Sequence, residues 1–571
     1  SVQIENRTLV LLRPLDRMRL PATVQAVIRA GLDRLDSHVK ESLQRAAVIG
    51  REFSLRILER ICDTRQRLPL SLDVLKTQEL IQQIRLIPEP EYMFKHVLTQ
   101  VTVYEGLLLK KRKDFHAAVG LALEQLYAGR LEEQCENLAH HYANSTNTEK
   151  ALTYLEMAAT KATRVHSLSE ARRYYETAFS IFEASLLDAE NQKKFIDLTL
   201  RWAEVSQYAP SNKIMKALRR SLEYAKTVDN RSRIAEVSYW IGKYGYMQGD
   251  FVEAIPQIER CIKWAGDLND RELLAISYNL RGRACLYTCE YSKGINYLNQ
   301  GLELIRPFEK WDDIAYSTAI LGLLLGLTGN YKKSMNTIAK AIRIARKYEI
   351  PTFEAMAFGY LGSIQFWYGN WKASINNCRQ CIAISRKMDN SLPIIWGTFF
   401  KGAALFNSGK QAEGLAVIEE SIEMMAKVDS VLAMRFFQAL FAENLAIHGN
   451  YRTAESINIK AMALGQSGQK WGDIASYRTM GIIAAAEGHP DWQHVSTCMQ
   501  KSIELAKSAE AIPELVVSLS RFSDLLHRKG DMDSANDYHR QAKQTADKIG
   551  GKPPHPHREV TPASPALQTP Y

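Results

Sequence analysis

At 571 residues the chain is too long for a single hydrophobic core, so its length calls for several domains or a repeat array. With 46% hydrophobic and 24% charged residues it has the balance of a globular protein, not of a disordered one. The net charge of +10 is diffuse, +6 over residues 1–130 and +4 over the rest. That spread argues against nucleic acid as a partner, because such binders gather basic charge on one element. The longest apolar run, residues 319–327, falls well short of the ~18 residues a membrane-spanning helix needs. Eight cysteines without a framework spacing and an N-terminus without an apolar leader fit a cytoplasmic protein with no membrane segment.

In chain order, residues 1–20 read as the end of an upstream element, so the chain is expected to continue a longer protein. Residues 21–130 have their own grammar. Thr23 can cap a helix through Val24, Val27, Ile28 and Leu32, and a second helix should run from Ser37 to Gly50. "SLRILERIC" and "LDVLKTQELIQQ" predict two more helices. "IRLIP" and "EYMFK", around Pro88-Glu89-Pro90, predict two short extended stretches. Helices followed by a small hairpin are the parts of a winged-helix-like module. Residues 131–145 read as a capping helix and 149–183 as a helical hairpin with Ala171 and Ala178 in small positions.

From there a ruler takes over. Turn glycines stand at Gly249, Gly329, Gly369, Gly409, Gly449, Gly488 and Gly530, with Cys289 in the one missing slot, a period of 40 with slips of one or two residues near the end. A second register, seven residues earlier, runs Gly242, Gly282, Gly322, Gly362, Gly402, Ala442, Gly481. A third, in the following helix, runs Ser221, Cys261, Gly301, Ala341, Cys381, Ser421, Ala461, Ser502, Ala542. Aromatics after the turn (Phe251, Tyr291, Tyr331, Trp371, Tyr451) should plug the gap between hairpins, and "KWDDIA" at 310–315 returns as "KWGDIA" at 470–475. Small residues let helices approach closely, and Gly supplies the left-handed turn that ends one. The pattern resembles the tetratricopeptide repeat (TPR), whose usual period is 34. The expected architecture is all-α: a right-handed solenoid of about ten hairpins over residues 131–549, followed by a Pro-rich tail, 550–571, that reads as disordered.

The strings "RPLDRMRLPATVQAVI", "AAVIGREF" and "FKHVLTQ" resemble the segment after the nucleotide-binding domain in bacterial signal-transduction ATPases of the STAND class. The likeness is to those fused to a class III adenylate/guanylate cyclase or a protein kinase, which continue into TPR-like repeats. The resemblance implies that ATP is bound by an upstream domain, since no phosphate loop of the G-x-x-x-x-G-K-[ST] type occurs here. This chain would then be a regulatory arm, with its own ATPase domain and a protein or peptide as partners. A free-standing adaptor, or the sensor arm of an ATP-dependent transcription activator, stays open as an alternative.

No catalytic set can be assembled, because distant repeats of a solenoid do not meet. Cys378-x-x-Cys381 reads as a pair of structural core thiols, and His140-His141 has no acidic or Cys companion at ligand spacing. "KKRK" at 110–113 reads as a solvated or docking face. No cofactor or metal is expected. The candidate site is the concave groove, lined by first helices at fixed offsets from the mid-helix glycine. Those offsets give Tyr239, Lys243 and Tyr246, then Asn279, Arg283 and Tyr287, then Phe366 and Trp367, then Phe399 and Phe406, extended by Trp396 and Phe436. A polar end followed by an aromatic stretch suits a peptide segment or an amphipathic ligand.

Overall fold

The structure, a computed structural model, describes residues 2–5, 8–11, 28–63, 65–183, 188–207, 209, 211–388, 390–428 and 432–551. Most of the expected first helix and the Pro-rich tail from 552 lie outside these residues. The chain divides into two compact units, residues 1–217 and 218–571.

The first unit opens with an antiparallel pair, β1 (Val2–Glu5) and β2 (Thr8–Leu11). Next come α1 (Ser37–Ile49), β3 (Glu52–Ser54), α2 (Leu55–Ile61) and α3 (Leu68–Thr77). β4 (Ile81–Arg85) and β5 (Glu91–Phe94) form the expected hairpin. β3 adds to it antiparallel, giving the order β3-β5-β4. The sequence pattern extends the fourth expected helix, here α3, to residue 83 and does not show β3. In the structure Ile81 pairs with Phe94, and a strand three residues long offers too little alternation to be read. Phe53, Tyr92 and Phe94 stack in the core with the buried faces of α1 to α3.

α4 (Val97–Glu105), α5 (Leu109–Leu126) and α6 (Cys135–Ala143) lead into the hairpins. α7 (Thr148–Arg164) pairs with α8 (Leu168–Glu183), and α9 (Ala189–Val205) is followed by α10 (Asn212–Thr227). One apolar cluster runs from Leu32 to Ala178. The core therefore continues through residue 130, where the sequence suggested a boundary, and the division between units falls inside α10.

The second unit repeats one motif. α11 (Arg231–Gln248) pairs with α12 (Phe251–Asp267), α13 (Arg271–Tyr287) with α14 (Tyr291–Leu304), and α15 (Trp311–Leu327) with α16 (Tyr331–Lys347). α17 (Pro351–Trp367) pairs with α18 (Trp371–Arg386), α19 (Ser391–Asn407) with α20 (Gln411–Ala426), and α21 (Met434–Ile447) with α22 (Tyr451–Ala463). α23 (Asp473–Ala484) with α24 (Trp492–Ser508), and α25 (Ile512–Lys529) with α26 (Met532–Ile549), complete the array. The fold is thus the expected all-α solenoid of helical hairpins.

Two of the three registers acquire physical causes. Mid-helix glycines face a side chain sixteen residues on: a Cβ at Gly242 would run into Ile258, at Gly282 into Leu298, and at Gly362 into Cys378. At the turn, Gly249 caps α11 in the left-handed region at φ 71°, and the Asp250 side chain accepts the backbone N–H of Glu253 to cap α12. Cys289 takes the same backbone at φ 57°. Gly488 departs from the pattern, because α23 stops at Ala484 and a longer loop replaces the tight turn. A fourth register, invisible in the sequence, is a left-handed residue between repeats at Asp229, Asn269, Glu309, Glu349 and Glu510.

Most post-turn aromatics plug as expected: Phe251 stacks on Tyr287 and Tyr331 packs tilted on Tyr368, at 5.5 and 4.4 Å between ring centres. Tyr451 is exposed instead, since Gly488 stands where Tyr368 serves Tyr331.

Candidate functional site: the interior of the second unit

The predicted groove residues all lie on the first helices of their hairpins. Eleven of the twelve are buried, and Lys243 is half-buried. The unit winds tightly enough for late repeats to reach early ones. The carbonyl of Tyr287 accepts the backbone N–H groups of Lys470 and Trp471 at 2.8 and 3.0 Å, and Gln469 Nε2 donates to the Gly249 carbonyl at 3.2 Å. Ser292 Oγ donates to Glu510 at 2.6 Å.

The cause of this crossing is the link after α22. Leu464–Ser467 tightens into a 3₁₀ turn, and Gly468 and Gly472 take left-handed φ values of 84° and 117°. The link thereby drives Trp471 into the groove, 2% exposed. Its indole lies flat on Phe436 at 3.9 Å and 7°, edge-on to Tyr287 at 5.6 Å, and 5.8 Å from Trp396. Trp367 joins through Phe436 and Phe366 through Trp367. Phe399 stacks on Phe437 at 4.0 Å. Phe406 is buried but makes no ring contact among the described residues, so it stands apart from the set. Trp396 Nε1 donates to Ser363 Oγ at 2.8 Å, whereas Trp471 Nε1 has no hydrogen-bond partner. Trp311, the counterpart of Trp471 in "KWDDIA", stacks on Tyr348 at 3.9 Å instead.

At the polar end, Asn279 and Arg283 converge on Asp313. Asn279 Nδ2 donates to Oδ2 at 2.5 Å and Arg283 Nη1 to Oδ1 at 2.7 Å. The Arg283 guanidinium stands 5.1 Å over the Tyr316 ring, whose hydroxyl meets that of Tyr246 at 3.1 Å. Asn279 Oδ1 and Arg283 Nε have no hydrogen-bond partner although both residues are buried. The Lys243 ammonium lies over the Trp240 ring at 4.8 Å and the Tyr239 ring at 5.9 Å. Burial, joined by the charge of Arg283, brings its pKa down to about 8 against the pull of Asp313 and Asp312.

A second charged set, absent from the sequence-derived list, closes the other end. Arg478 is fully buried and grips Glu443 with Nε and Nη2, both at 2.8 Å. Its Nη1 donates to Glu514 and Ser518 at 3.3 and 3.2 Å. Burial raises the Glu514 pKa against the opposing charge of Arg478. Glu443 and Arg478 sit one residue after and three before their mid-helix small residue, the offsets of Arg283 and Asn279. The rule that found the polar end therefore contained them. A cavity of about 50 Å³ opens beside them, floored by Phe366 and Trp367 and walled by Glu443, Asn444, Arg478 and Arg521. Asn444 Nδ2 and Arg521 Nε are buried there without hydrogen-bond partners. That volume holds roughly three waters, not a ligand.

Cys378 and Cys381 are fully buried free thiols, with burial raising Cys378 to about 12, as suits core residues. No helix among the described residues is long and apolar enough to cross a membrane.

No protein-family model matches the chain. An uncharacterized protein of Rhizobium meliloti (strain 1021) is 25% identical over 241 residues, which take in 40% of this chain and 23% of that protein. The chain thus spans less than a quarter of the relative's length. Among solved structures, a Rap protein complexed with Competence and Sporulation Factor aligns at 13% identity and TM-score 0.41, over 71% of this chain and 99% of its own. A STAND protein with a tetratricopeptide repeat sensor from Pyrococcus horikoshii aligns at 14% and 0.39, over 87% and 67%. The Cut9–Hcn1 hetero-tetramer of APC/C aligns at 11% and 0.45, over 76% and 84%. At these scores the likenesses bear on no function, and the helical-hairpin fold rests on the chain's own elements.

Proposed function

We propose that the second unit is a peptide-binding module whose groove is occupied in cis by its own link, and that an external segment replaces that link. The observation that carries this is the seating of Trp471. Residues 469–471 meet the groove as a bound peptide would, with two successive backbone N–H groups on the Tyr287 carbonyl and an aromatic side chain on Phe436. The buried Arg283 Nε, which has no hydrogen-bond partner, is a donor that a better-fitting segment would satisfy. The favoured ligand is therefore a protein segment with an exposed aromatic residue.

In the whole protein this unit would serve as the sensing arm of a STAND-class ATPase. The resemblance of residues 20–61 and 92–124 to that class supports the reading, as does the α1-β3-α2-α3-β4-β5 order expected of a winged-helix-like relay. ATP binding and a cyclase or kinase output would belong to segments outside this chain. Selection from a displayed peptide library on the full chain tests the proposal. Enriched peptides should carry an aromatic residue, bind more tightly to Trp471→Ala, and lose affinity with Arg283→Ala or Trp396→Ala. Peptides indifferent to all three substitutions would sink it.

A further inference from the structure

The first unit gathers three histidines that the repeat pattern does not require. His116 comes from α5, and His140 and His141 from α6, 24 and 25 residues later. We propose that His116, His140 and His141 form a binding site for a divalent transition metal ion of the zinc class.

Their rings form a near-equilateral triangle, with centroids 5.2, 5.2 and 5.7 Å apart. One ring nitrogen from each lies within 4.8 Å of the other two. His116 Nδ1 and His141 Nδ1 stand 3.0 Å apart, near the ~3.3 Å separation of ligands around a tetrahedral zinc with Zn–N bonds of about 2.0–2.1 Å. His140 closes the remainder by a change of rotamer, which its exposed side chain allows. An exposed third ligand also supplies the access route and a fourth position for water.

The surroundings suit ligation. The Tyr104 hydroxyl lies 3.0 Å from His116 Nε2, where it can accept that N–H while Nδ1 faces the metal. Such an outer hydrogen bond fixes the tautomer of a ligating imidazole. Arg112 turns its guanidinium over the Tyr104 ring at 4.3 Å and donates to the carbonyls of Glu105 and Leu107. Three imidazoles without a thiolate or carboxylate select zinc, copper or nickel over magnesium and calcium. The bound ion would pin α5 to α6, between the strand-bearing segment and the first hairpin.

The test uses the full chain without a polyhistidine tag, stripped by chelator and titrated with Zn²⁺ by calorimetry. One ion should bind per chain, raise the unfolding temperature, and be replaceable by Co²⁺ with the visible absorption of a tetrahedral site. His140→Ala, on the surface and so safe for folding, should weaken binding at least ten- to hundredfold, the loss that even outer-sphere changes cause. His116→Asn should do the same. The absence of Zn²⁺ binding would overturn the proposal, and so would binding unchanged in His140→Ala. In either case the 3.0 Å contact is an ordinary N–H···N hydrogen bond between core histidines.

Discussion

Arg478 has no exposed surface, and its charge is met by two carboxylates as buried as itself. Cutting it to Ala strands Glu443 and Glu514, so the second unit should lose about 3–5 kcal/mol in denaturant titrations followed by tryptophan fluorescence. Arg478→Met with Glu443→Leu should lose less than Arg478→Met alone, because one buried charge leaves with its partner. An additive double variant would show that the carboxylates find water. Lys243 gives a pH signature. Its pKa falls from 10.5 in the unfolded chain to about 8 in the folded one, so between those values the unfolded chain binds more protons. Stability therefore rises with pH across that window. The urea midpoint of the native chain, measured against Lys243→Met, should climb from pH 8 toward 10, and parallel curves would refute the shift. Residue offsets found Asn279 and Arg283 correctly as neighbours. Asp313, which joins them, stayed hidden because it stands in the first turn of α15, outside the offsets taken from the mid-helix glycine.

Among the elements, the hairpin was the most legible. Gly329 and Gly409 occupy the same turn position with φ of 89° and 100°, and the sequence treats them as equal. Their surroundings differ. A Cβ at Gly409 meets nothing within 4 Å, while one at Gly329 would lie 2.8 Å from Ile549 Cγ2 and 3.5 Å from Ile512. Gly409→Ala should thus cost only the left-handed strain, about 1 kcal/mol. Gly329→Ala should cost roughly 1–3 kcal/mol more through overpacking against the last hairpin. Thermal unfolding of the two variants checks this, and equal losses would mean that Ile549 yields. The turn chemistry could be read because it is local. The contact with Ile549, 220 residues away, could not.

For the second unit as a whole, Trp471 is the decisive contact. Trp471→Ala removes the ring on which Phe436, Tyr287 and Trp396 converge and should cost about 3–5 kcal/mol. Hydrogen exchange should rise together in residues 464–472 and in α11 to α13, which the link bridges. A rise confined to the link would count against a closed groove. The sequence by itself determined the period, the helices, their turns and the first helices as the lining of the interior. Each of these follows from 3.6-residue helical geometry, small-residue contacts and left-handed turns within one repeat. Only the tertiary structure decided that the interior is filled, that Trp471 and not Trp311 fills it, and that His116 meets His140 and His141. Closure of the solenoid depends on small rotations between hairpins summed over five repeats. The histidine triangle depends on how two neighbouring helices cross. No residue pattern within a single repeat records either quantity.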